Sequence, residues 1–112
     1  MDFVSAEKEL RKLSADQQRL CHKYALERNT YAEAMWEVMV LLTPHQEEEA
    51  YRKASHEKQV LMLMADCEEA ADAVRDMTLA RERYKGLEKM IEAKGARISS
   101  LQSLMRYARE HD

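Results

Sequence analysis

Apolar side chains recur in three- and four-residue steps along the first forty residues. The steps fall on Phe3, Ala6, Leu10, Leu13, Gln17, Leu20, Tyr24, Glu27, Tyr31, Ala34, Val38 and Leu41, of which only Gln17 and Glu27 are polar. A period of about 3.5 residues held for so long puts all of them on one stripe of a helix, in a coiled-coil pattern. A strand cannot use such a stripe. The punctuation agrees, because two Gly and one Pro in 112 residues are too few for the many connections of an all-β or α/β fold. At 46 % apolar the chain is too greasy for a disordered tail, and with 6 % aromatic its core must be mostly aliphatic, Met and Ala. The expectation is one all-α domain.

The stripe meets its strongest interruption at Thr43-Pro44-His45-Gln46. Thr43 is a good N-cap, Pro44 suits a first helical position, and Gln46 lies where a capping box needs it. Glu47, Glu48 and Glu49 then favour the positive end of a helix dipole. The sequence therefore predicts helix one over about residues 3–42 and helix two over about 44–109. Ser14-Ala15-Asp16-Gln17 resembles a second capping box and is the alternative place for a break in helix one. Helix two begins with a polar seam, in which Tyr51 and Ala54 are the useful apolar positions before Val60. It continues through Leu63, Cys67, Ala70, Val74 and Met77, slips by three residues, and resumes at Ala80, Tyr84, Leu87, Ile91, Lys94, Ile98, Leu101, Met105 and Ala108. Gly86 and Gly95 each cost about 1 kcal/mol against Ala in a helix, so each is a place for a bend or a C-cap in this long helix.

Length converts this pattern into a prediction about partners. At about 1.5 Å per residue helix one is ~58 Å long and helix two reaches ~100 Å. A hairpin turned between Thr43 and Pro44 leaves the seam of Tyr84, Leu87, Ile91, Ile98, Leu101 and Met105 without an intrachain partner. A lone helix cannot bury its own stripe. The end of helix one, with Trp36, Met39, Val40 and Leu42, is apolar almost all round, while residues 45–59 are mostly polar. Lys and Arg stems laid across that end are the simpler way to cover it. The stronger expectation is an oligomeric antiparallel helical hairpin, a homodimer or larger, with these ten residues as the protein interface.

Few residues suggest chemistry. No Glu-x-x-His pair, His-Glu-x-x-His or close cysteine pair occurs. A hairpin centred on Thr43-Pro44 would bring Cys21 and His22 level with Asp66 and Cys67, a zinc-like set set against the reading of both cysteines as small packing residues. Cys21 and His22 diverge by about 100° on a helix, which disfavours a thiolate–imidazolium pair. Neither a cofactor nor an enzymatic activity is expected. Arg81, Arg83, Lys85, Lys89, Lys94, Arg97, Arg106 and Arg109 make the last third net basic, so nucleic acid is a second candidate partner. Tyr84 and Tyr107 would then stack on bases. No stretch is long and apolar enough for a bilayer. The start, Met1-Asp2-Phe3, lacks the features of a secretory leader, which predicts a cytoplasmic protein with reduced thiols.

The stretch from Arg81 through Tyr84, Gly86, Met90 and Lys94, followed by Ile98-Ser99-Ser100-Leu101-Gln102-Ser103-Leu104, resembles the C-terminal end of small helical coiled-coil accessory proteins of bacteriophages. Some of those act near DNA replication and recombination. The resemblance covers about a quarter of the chain and assigns no site residue. The expected function is a non-enzymatic adaptor that assembles with itself and binds a protein partner, in phage or mobile-element DNA metabolism or in control of host machinery. A nucleic-acid-binding oligomer and a small secretion chaperone or export-stalk protein are the alternatives.

Overall fold

The computed structural model describes residues 2–111. Among them the fold is an all-α helical hairpin: α1 (Phe3–Leu42), a 3-10 turn at Thr43–His45, α2 (Glu49–Arg52), α3 (His56–Asp66) and α4 (Glu68–His111). Helix α1 is unbroken through Ser14-Ala15-Asp16-Gln17. Asp2 caps it: one carboxylate oxygen accepts from the Val4 N–H at 2.9 Å and the other from the Ser5 hydroxyl at 3.0 Å. These two bonds hold the Asp2 carboxyl below its ordinary pKa.

The chain packs as two compact units. One, the terminal unit, joins residues 2–25 with residues 84–111; the other, the central unit, is Leu26–Arg83. In the terminal unit α1 and α4 run antiparallel. Tyr24 meets Tyr84 edge to face with ring centroids 6.0 Å apart, the Gln17 amide donates to the Ile91 carbonyl at 3.4 Å, and Arg97 reaches Glu9 at 2.8 Å. Ala6, Leu13, Tyr84 and Leu101 are buried between the helices. In the central unit Leu42, Tyr51, Leu63 and Ala70 form a core cluster, with Leu41, Met62 and Cys67 packed on it. The other side chains that α4 buries there are also small, Ala73 and Ala80.

The expected single helix two over 44–109 is replaced by three helices. Thr43 does not cap the second arm. Its hydroxyl donates back to the Met39 carbonyl at 2.8 Å, tying Thr43 to the end of α1. The turn around Pro44 runs on to Glu48, which is extended, so α-helix restarts only at Glu49. Ser55 then caps α3, its hydroxyl accepting from the Lys58 N–H at 3.3 Å. Cys67 interrupts the helix once more, with φ −141° and ψ 117°. No Gly or Pro stands there. The break is supported from outside, by the Tyr51 hydroxyl donating to Asp66 at 2.9 Å and by the packing of Cys67 on the core cluster.

Neither Gly86 nor Gly95 ends the helix: both lie inside α4 with no positive φ. A methyl group at Gly86 would meet nothing within 4 Å, whereas at Gly95 it would lie 3.2 Å from the Gln17 amide nitrogen. Gly86→Ala should therefore raise stability by about 0.5–1 kcal/mol. Gly95→Ala should gain less, because Gln17 must shift from its bond to Ile91. Thermal unfolding followed by circular dichroism checks the order; a destabilising Gly86→Ala would contradict an unbroken helix there.

Candidate interaction surface

The central-unit part of α1 has two faces of opposite character. Ala34, Val38 and Leu42 point inward and are buried. Between them Met35, Trp36, Met39 and Val40 point outward, with Trp36 71 % exposed. Helical spacing makes these four neighbours on one surface. Scattered exposed apolar residues are ordinary, but a contiguous group holding the chain's single Trp is not. Glu33 and Glu37 flank the group and line a shallow groove with Thr30, Asp76, Leu79 and Arg83.

The structure divides the ten interface residues inferred from the sequence. Trp36, Met39 and Val40 are exposed as expected. Leu42 is not a surface residue: it is 2 % exposed and belongs to the central core. The unpartnered seam is also corrected. Tyr84 and Leu101 are buried, and Leu87, Ile91, Ile98 and Met105 are half-buried, all in the terminal unit where α1 covers them. The cause is register. Residues 53 and 54 lie midway between the paired positions of the terminal unit, not Thr43 and Pro44. The turn, α2 and α3 take up residues 43–67, so the return helix starts late and its far end finds α1.

The same register removes the zinc-like set. Cys21 lies in the terminal unit at the level of Leu87, not of Asp66. Cys21 is exposed and Cys67 half-buried, and among the described residues no group of three His, Cys, Asp or Glu is placed to hold a metal ion. Of the eight cations suggested for nucleic acid, Arg81 and Arg83 fall in the central unit and Lys85, Lys89, Lys94, Arg97, Arg106 and Arg109 in the terminal unit. Lys94 lies 3.8 Å from Asp16 and Arg97 2.8 Å from Glu9. Those two are engaged by carboxylates of α1. Val4, Leu26, Leu61, Leu104 and Tyr107 lie off the predicted stripes and are exposed, and Phe3, at the head of the first stripe, is exposed too. Leu104 and Tyr107 follow the buried Leu101 at three-residue steps, a second stripe beside the first.

One polar network is tied to a core. Tyr51, 2 % exposed, donates to Asp66, accepts at its carbonyl from the Gln59 amide, and stacks on the His45 ring at 4.8 Å. His45 in turn contacts Glu48 at 3.0 Å. Burial, then the hydrogen bond and negative charge of Asp66, push the Tyr51 phenol from 10.0 up to about 12. An unfolded tyrosine ionises first, so this contribution is whole below pH 10 and is lost as pH rises from 10 toward 12. The thermal midpoint of the native chain should fall across that window more steeply than that of Tyr51→Phe. Parallel pH profiles would argue against the buried phenol.

Among the described residues no helix is long and apolar enough to cross a membrane. No family model, no curated protein and no solved structure matches this chain.

Proposed function

We propose that this chain is a non-enzymatic helical adaptor that assembles with itself and docks a protein partner through the outward face of α1. The observation that carries this reading is the contiguous exposure of Met35, Trp36, Met39 and Val40 beside a well-packed core. A large side chain buried on association contributes about 1.5–3 kcal/mol, and tryptophan is among the residues enriched where binding energy concentrates. The resemblance of the 81–104 stretch to phage accessory proteins favours work beside DNA replication and recombination machinery. Engagement of Lys94 and Arg97 by α1 carboxylates weighs against the phosphate-binding alternative.

Trp36 is the only Trp, so its fluorescence reports the face directly. Raising the protein concentration should increase the mass seen by light scattering and shift Trp36 emission to the blue. Trp36→Ser should weaken association at least about tenfold while leaving helicity unchanged. A mass that stays at one chain over the whole range would remove the self-assembly half of the reading.

A further inference from the structure

Charge is divided between the two units. The central unit carries 13 acidic and 7 basic residues, net −6; the described residues of the terminal unit carry 7 acidic and 11 basic, net +4. Each unit also exposes an apolar patch. In the central unit it is the Trp36 face, flanked by Glu33 and Glu37. In the terminal unit Phe3 and Leu104 are exposed at a small apolar cleft, and Tyr107 stands one helical turn beyond Leu104. Arg106 and Arg109 lie beside that cleft, lining the neighbouring groove with Met105.

The signs decide which surfaces of separate molecules can meet. Two Trp36 faces brought together would oppose carboxylates to carboxylates, and two terminal clefts would oppose guanidinium to guanidinium. Like charges facing each other across an interface are costly. The terminal cleft of one molecule on the Trp36 face of another sets apolar surface on apolar surface and Arg106 and Arg109 against Glu33 and Glu37. We propose that the occupant of the Trp36 face is the terminal unit of a second copy of this chain, in a heterologous contact between unlike patches. This rests on the reading of that face as a docking surface, and it names what docks there.

The test uses the full chain in sedimentation velocity, with circular dichroism to confirm helicity. Self-association of the native chain should weaken roughly tenfold between about 50 mM and about 500 mM NaCl, because the flanking charges are screened. Arg106→Glu with Arg109→Glu should sediment as one chain, and so should Glu33→Arg with Glu37→Arg. Mixing the two variants should restore association, since every contact between one variant and the other is again between opposite charges. Association that holds or tightens with salt overturns the proposal, and needs no variant. So does a mixture that stays dissociated. If the Arg106→Glu/Arg109→Glu variant associates like the native chain while Trp36→Ser does not, the terminal unit is not the occupant and the adaptor reading stands. A native chain that never associates overturns the proposal and removes the self-assembly half of the adaptor reading.

Discussion

Leu101→Ala should destabilise the terminal unit by about 2–5 kcal/mol, the range for a fully buried leucine whose surroundings relax only in part. Leu101 is 0 % exposed on α4, within the stretch that a hairpin turned at Thr43-Pro44 would have left bare. The size of the effect therefore measures how well α1 covers that stretch inside a single chain. Urea unfolding at two dilute protein concentrations separates the cases. Coverage within the chain makes the loss the same at both; coverage by another molecule makes it shrink on dilution. Leu104, one turn further and 57 % exposed, is the control, and its alanine variant should change stability by less than about 0.5 kcal/mol.

Leu63→Ala should cost a similar amount, about 2–5 kcal/mol, in the central unit. Leu63 is 0 % exposed and packs in the cluster with Leu42, Tyr51 and Ala70. Ala70 is too small to fill the space left behind, so partial collapse is the most the site can do. Circular dichroism follows the transition. A loss below about 1 kcal/mol would mean that α3 is not held against the cluster. The contrast with Leu61→Ala sharpens the reading, because Leu61 is 63 % exposed on the same helix and should be close to neutral.

The stripes were legible in the sequence because side-chain periodicity is a local property. Apart from Phe3, every position of the α1 stripe is buried or half-buried, and so is every position from Ala80 to Ala108 in its α4 counterpart. What covers a stripe is not local. It depends on how many residues the connection consumes, and here the signals were weak. Ser55 is an ordinary N-cap with no capping-box partner to mark it, and the polar seam before Val60 is the sign that one helix does not run through it. The Cys67 break has no signature of its own, since Tyr51 and the core cluster hold it from a distance in sequence. Underestimating that connection moved the pairing by some twenty residues. In the shorter register a covered seam looks like an interface, and Cys21 falls level with Asp66 instead of Leu87. The Trp36 face survived because its exposure follows from α1 alone: both sides of that helix segment are apolar and only one can face inward.

Ala70, Ala73 and Ala80, the residues that α4 buries in the central unit, carry one methyl group each. Their walls have no rotamer to change and no side-chain tip to swing aside, so a bulkier replacement must be met by movement of the backbone. Drift at these positions is consequently narrow in one direction, with growth resisted far more than a further loss of size. The separation of neighbouring rods is thus written in the smallest side chains of the chain, and a variant library should find its steepest intolerance there.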